Sequence, residues 1–207
     1  NNWKFEKSLV KNYLQSMNQA NINYVEIGFR FLKKNSLYGP YAFTSENLIR
    51  SLNTNKNTKL AIMINGIEYF NLAEDYKNFF IHSNKSQISL IRIAINFNDF
   101  SKVKNISDFL KKRGYLVAIN LMQSHGKKES DHIKIIKQIK SWNNCDILYF
   151  ADSLGSMIPE DVKKLSKIYA SNWKKDFGFH SHNNRTFSLA NSVVAINNGA
   201  TFIDSTI

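Results

Sequence analysis

Short β-rich runs alternate with stretches suited to helices along the whole chain, and no other feature limits its fold so sharply. The runs are 24–29 (YVEIGF), 59–65 (KLAIMIN), 88–95 (ISLIRIAI), 115–122 (YLVAINLM), 146–152 (DILYFAD), 176–182 (DFGFHSH) and 200–207 (ATFIDSTI). Helical stretches near 3–20, 44–53, 71–80, 99–112, 130–141, 159–170 and 185–198 precede or separate them. Several have marked ends. Thr44-Ser45-Glu46-Asn47 offers N-capping groups, Pro159 with Glu160 and Asp161 suits a first turn, and Gly114 and Gly199 stand where helices stop. Mostly apolar strands in strict β/α alternation form a parallel sheet covered by helices. At this repeat length a TIM (β/α)8 barrel is favoured over an open doubly wound sheet. Seven runs are present and the chain opens on a helix, so the expectation is one barrel domain over 1–207 that lacks its first strand. Because bare parallel edges invite wrong pairing, the chain is expected to be a fragment running from helix 1 to strand 8.

Composition supports a single soluble domain: 43% hydrophobic and 13% aromatic residues over 207 positions suffice for a sizeable core. Pro40 and Pro159 are the only prolines, and no Gly/Ser-rich linker divides the chain. No apolar run approaches the roughly 20 residues that span a bilayer, so no membrane partner is expected. With Cys145 as the sole cysteine there is no internal disulfide, which suits a reducing cytoplasm. The net charge of +12 comes from scattered groups such as Lys33-Lys34 and Lys163-Lys164 beside predicted helices. They read as solvated faces. No recognition motif accompanies them, so a nucleic-acid partner is not expected, while an anionic substrate would gain from the field.

Strand parity places the chemistry. Residues two apart on a strand share a face, so His180 and His182 can present both imidazoles to one metal ion while Phe177, Phe179 and Ser181 face the helices. The same parity sets Glu26, Asn65, Arg92, Asn120 and Asp204 opposite the apolar positions of their strands. All can converge at the mouth of one barrel, where active sites form from the C-terminal strand ends. The alternative for Glu26 and Arg92 is a buried ion pair of purely structural use. His82 and His132 read as ordinary surface residues.

The blocks YVEIGFR, IRIAI, NLMQ, ADSLGSMIPEDV, GFHSHNN and LANSVVAINNGATFIDST together resemble the TIM-barrel metallolyase superfamily. That superfamily contains 3-hydroxy-3-methylglutaryl-CoA lyases, isopropylmalate and homocitrate synthases, and 4-hydroxy-2-oxovalerate aldolases. The ADSLG block with LMQ is most similar to the aldolase branch. The resemblance implies that His180 and His182 bind a divalent cation, Mn or Mg, and that Glu26 is the acidic catalytic residue of its strand. It implies an orienting role for Asp152 and Asp204 beside the histidines, and a structural one for Asn191. His125, in the loop after Leu121-Met122-Gln123, is a second acid/base candidate, and Arg92 and Asn120 are candidates for holding substrate. The family's Asp-x-x-x-Arg-Asp-Gly pattern, which supplies a metal-binding Asp and a carbonyl-polarising Arg, has no counterpart in these residues.

These readings converge on a divalent-metal-dependent aldolase or carbon–carbon lyase that acts on a small 2-oxo acid through a metal-stabilised enolate. None of these inward mouth positions is a lysine, so no imine-forming residue is expected there. The alternative is a catalytically degenerate barrel module that serves as a binding or scaffold domain, for which the absent Arg-Asp pattern speaks. A homo-oligomer or an additional domain completes the expected partners.

Overall fold

β-Branched and aromatic residues at alternate strand positions suit a pleated surface covered by helices, and the computed structural model, which describes residues 2–52, 58–70 and 75–205, pairs them so. Seven strands form one sheet in sequence order with every pairing parallel. They are β1 (Tyr24–Phe29), β2 (Lys59–Asn65), β3 (Ile88–Asn96), β4 (Leu116–Met122), β5 (Ile147–Asp152), β6 (Phe177–Ser181) and β7 (Phe202–Ile203). The helices are α1 (Lys7–Gln19), α2 (Glu46–Leu52), α3 (Gly66–Phe70), α4 (Lys104–Lys112), α5 (Glu129–Trp142), α6 (Pro159–Trp173) and α7 (Ser188–Asn197). β1 and β7 end the ladder on opposite sides, yet Tyr24 and Phe202 meet inside it with ring centroids 5.8 Å apart. The sheet is thus curled into the wall of a TIM barrel that lacks one strand.

Two apolar layers follow from the strand parity. Outward residues such as Ile62, Ile93, Ile119, Phe150 and Phe179 pack with Leu110, Ile136 and Trp173 of the helices. Each such side chain, fully buried, contributes about 1.5–3 kcal/mol. Inward, Ala61, Leu90, Ala118, Ile147 and Tyr149 form a smaller core against which Tyr24 and Phe202 pack. The punctuation residues act where expected. Ser45 Oγ accepts the Leu48 amide at 3.3 Å, Asp161 accepts the Ile158 amide at 3.1 Å, and Gly114 and Gly199 take φ of 85° and 99° just past α4 and α7.

Gly28 has a stricter reason to be glycine. Its φ is 144°, and a Cβ there would lie 2.0 Å from the Tyr41 carbonyl oxygen. Gly28→Ala should therefore lower stability by about 1–3 kcal/mol from backbone strain alone. A urea denaturation midpoint equal to wild type would contradict this.

Several elements differ from expectation. α1 starts at Lys7 and not near residue 3, because Trp3 packs edge-on against Phe29, Phe31 and Tyr38. α3 was not foreseen; it begins directly after β2, where Asn65 Oδ1 accepts the Ile67 amide at 3.3 Å. The helix expected over 99–112 is divided between a 3-10 segment, Phe97–Val103, and α4. Of the helix expected over 71–80, Asp75–Phe79 is a 3-10 turn; positions 53, 71–74 and 206–207 of the expected elements lie outside the described residues. β7 contracts to two residues because, among the described residues, it pairs on one side only, Gly178 with Phe202 and Phe179 with Ile203.

His132 is a correction. It is fully buried on α5, with its ring edge-on to Phe97 at 4.6 Å and Nε2 3.2 Å from the Ser124 carbonyl. Burial pushes its pKa from the usual 6.5 down to about 4. Above pH 6.5 both folded and unfolded states hold it neutral, and no stability is lost. As pH falls from 6.5 to 4 the unfolded chain takes up the proton first, and about 3 kcal/mol of stability should drain away. His132→Leu should flatten that acid limb in a stability–pH series; a curve parallel to wild type would contradict the assignment. Among the described residues no helix is long and apolar enough to cross a membrane.

Candidate active site

The inward polar residues meet inside the curled sheet, Glu26 and Arg92 from the middle of their strands and His180 and Asp204 from the ends of theirs. Glu26 leaves β1 and Arg92 leaves β3, and Arg92 Nη1 donates to Glu26 Oε2 at 3.0 Å. Arg92 Nη2 donates to Oδ2 of Asp204, which stands just past β7. The same Asp204 oxygen lies 2.6 Å from His180 Nδ1 on β6. The His182 ring sits edge-on to His180, with centroids 5.1 Å apart. Four strands thus deliver one connected chain, Glu26–Arg92–Asp204–His180, with His182 beside its end.

Burial and charge explain the protonation states. Burial pushes Glu26 above the usual carboxylate range even though Arg92 pulls it down. Burial also pushes Asp204 up, but the His180 hydrogen bond and the Arg92 charge outweigh it and hold the carboxyl below its usual value. An ionised Asp204 can only accept, so the proton of this hydrogen bond sits on His180 Nδ1, and Nε2 is the ring nitrogen that lies outside it. Partial desolvation and the neighbouring His180 hold His182, an exposed side chain, below the usual imidazole value, so its ring is neutral near pH 7.

A divalent cation fits this arrangement in part. A carboxylate that fixes one ring nitrogen while the other faces a metal is a common support for metal-binding histidine, and two adjacent imidazoles match two positions of a shared shell. The two carboxylates and one guanidinium leave a formal excess of one negative charge behind them, which favours a cation. Among the described residues no group of three or more His, Cys, Asp or Glu is placed to hold a metal.

The other expected site residues are placed differently. Asn120 on β4 is buried with its Oδ1 unpartnered; such an orphan acceptor costs about 1–3 kcal/mol and marks a place for a ligand donor. Among the described residues Asp152 makes no hydrogen bond to a histidine, although its charge acts on His182. Its two oxygens accept the Ser156 and Met157 amides at 2.9 Å each, shaping the turn after β5. His125 stands apart from the chain as well, with Nδ1 2.7 Å from Ser156 Oγ and Nε2 3.7 Å from Asp161. Asn191 Nδ2 donates to the Met157 carbonyl at 2.9 Å, a structural tie. Arg92, expected to hold substrate, already spends both terminal nitrogens within the protein.

Tyr149 is the residue that the sequence reading missed. It is buried beneath the Arg92 guanidinium, 4.7 Å from ring centroid to Cζ, and it interacts with Asp204. Its ring lies so close to Gly178 that a Cβ there would come within 2.2 Å of Tyr149 Cε1. Strand parity could have found it, since Tyr149 shares the inward face with Ile147 and pairs in register with Asn120 and Gly178.

Relatives share this framework. Oxaloacetate decarboxylase of Mycobacterium tuberculosis is 27% identical over 100% of the chain and 60% of its own length. A 4-hydroxy-2-oxovalerate aldolase of Bacillus cereus is 24% identical over 99% of the chain and 59% of its own length. The chain therefore spans about three fifths of these relatives. Among solved structures, the N-terminal domain of a candidate aldolase from Bacteroides vulgatus superposes with a TM-score of 0.87 at 28% identity, covering 100% of this chain and 68% of that one. The carboxyl transferase domain of Rhizobium etli pyruvate carboxylase, with pyruvate, shares the fold with a TM-score of 0.78 at 15% identity, over 98% of this chain and 36% of that one. The HMGL-like family model matches residues 4–207, nearly the whole alternating wall and every residue of the site above, and the chain belongs to that family.

Proposed function

We propose that this chain carries the site of a divalent-metal-dependent carbon–carbon lyase of the aldolase type that acts on a 2-oxo acid. The observation that carries the reading is the convergence of His180, His182, Asp204, Arg92 and Glu26 from four strands. The relatives' names, an oxaloacetate decarboxylase and 4-hydroxy-2-oxovalerate aldolases, support carbon–carbon cleavage beside a 2-oxo group.

His180 and His182 would hold the cation, Mn or Mg. Once bound, it would supply the Lewis acidity that stabilises enolate character on the 2-oxo acid. Asp204 keeps the His180 proton on Nδ1 and so keeps Nε2 available. Glu26, with its carboxyl raised by burial, is suited to receive and return a proton. Asn120 offers its unpartnered oxygen to a substrate hydroxyl. Acid–base work falls to Glu26, while His125 links the loop after β4 to Ser156 in the loop after β5. The single buried thiol, Cys145, suits a cytoplasmic setting for this chemistry.

The test is calorimetric titration of the full-length protein with Mn, followed by assays for release of a 2-oxo acid from 4-hydroxy-2-oxo acids and of carbon dioxide from 2-oxo diacids. Metal-dependent turnover on either class is the expected result. Metal uptake without turnover on any of them would sink the enzyme reading in favour of a binding module.

A further inference from the structure

We propose that Arg92 is a positioning residue that aims His180 through Asp204 and does not itself hold the substrate. The inference rests on the metal reading above. Its basis is the way the guanidinium is committed. Nη1 reaches Glu26 on β1 and Nη2 reaches Asp204 beyond β7, so one side chain from β3 joins residues at the two outermost strands of the ladder. The Tyr149 ring closes one face of the guanidinium at 4.7 Å, and the whole residue is 6% exposed. Nε is buried and has no hydrogen-bond partner among the described residues, and a substrate carboxylate that took over either Nη contact would leave a buried acid without its counter-ion. That exchange is unfavourable. A substrate anion has more accessible donors to choose from on a surface of net charge +12.

Asp204 needs this support because its backbone offers little. β7 has two paired residues, Phe202 and Ile203, and among the described residues it is laddered only to β6. Asp204 follows that short ladder directly, so its carboxylate is steadied by lateral contacts: Arg92 on one side, His180 on the other, and Tyr149 alongside. A planar fork can engage two carboxylates at once in fixed directions, whereas a lysine ammonium on a flexible stem cannot. Losing the fork should let Asp204 swing, and the His180 ring with it.

The experiment measures Mn affinity by calorimetry without substrate, then KM and kcat at saturating Mn, in full-length wild type, Arg92→Lys, Asp204→Asn and the double variant. Arg92→Lys should weaken Mn binding by about tenfold or more, the range seen when supports of metal-binding histidines are removed. KM for the 2-oxo acid should stay near wild type. The double variant should bind Mn no more weakly than Asp204→Asn, since both changes break one path. A raised KM with unchanged Mn affinity in Arg92→Lys would assign Arg92 to the substrate and overturn the proposal. Lower thermal stability with both constants unchanged would make it purely structural and also overturn it. Should Arg92→Lys fail to fold, Asp204→Asn decides: Mn affinity equal to wild type overturns the proposal, and a loss of about tenfold supports it. Wild type that takes up no Mn would overturn the metal reading itself and this inference with it, whereas unchanged affinity in the variants overturns the inference alone.

Discussion

Replacing His180 or His182 by alanine in the full-length protein is expected to weaken Mn affinity by at least about tenfold and to abolish turnover. Each change removes one of two adjacent imidazoles whose centroids lie 5.1 Å apart, and with only two such donors in the described site, neither can cover for the other. The two variants should differ in a second respect. His180→Ala also leaves Asp204 without its Nδ1–H partner, so a buried carboxylate loses a donor that helps hold its pKa down. His182 is exposed and shares no hydrogen bond with that carboxylate, so its loss should leave thermal stability nearly unchanged. Unaltered calorimetric Mn affinity in both variants would remove these residues from the metal site.

Glu26→Gln is the second large effect expected. The amide keeps the size of the side chain and can still accept from Arg92, but it can no longer take up a proton. If Glu26 is the acid–base group, turnover should fall by roughly 10²-fold or more while the protein stays folded. If Glu26 serves only as counter-ion to Arg92, the variant should lose thermal stability and keep its specific activity. The structure sharpens this choice, since Arg92 has a second carboxylate in Asp204 and so keeps one counter-ion in the variant. A stability loss is therefore expected to be modest, and a large fall in kcat with little change in melting temperature would separate the two roles.

Most of the barrel wall was legible because strand signals are local. Six of the seven strands, β1 to β6, begin and end within one residue of the β-rich runs. Alternation also placed Glu26, Arg92 and His180 on one face, and pairing follows that parity. What was not legible depends on partners far away in the chain. The ATFIDSTI run reads as a full strand, but a strand persists only where a neighbour ladders it, and here two residues do so. The roles of Asp152 and Arg92 likewise rest on which groups happen to meet them, backbone amides in one case and two acids in the other. Two misses had a usable signal. His132 stands in the same helical stripe as Ile136 and Ile139, spaced four and seven residues away, which marks a buried face. Tyr149 alternates with Leu148 and Phe150, and its inward parity was as plain as that of Glu26.

The inner layer of Tyr24, Leu90, Ala118, Ile147, Tyr149 and Phe202 makes the lumen blind-ended. Its lower half is plugged by packed side chains. Between the two outermost described strands, Tyr24 meets Phe202 inside the sheet, and Arg92 joins Glu26 to Asp204. Among the described residues this inner layer closes the N-terminal side, so the C-terminal strand ends are the approach to the histidines. A molecule that enters there must turn back the way it came, so the fragment deepest in the lumen leaves last. Under the proposed cleavage, the piece nearer the strand ends would depart first and the piece held at the histidines would follow. Product inhibition patterns should carry that order, with the last-leaving product competitive against substrate and the first-leaving one not.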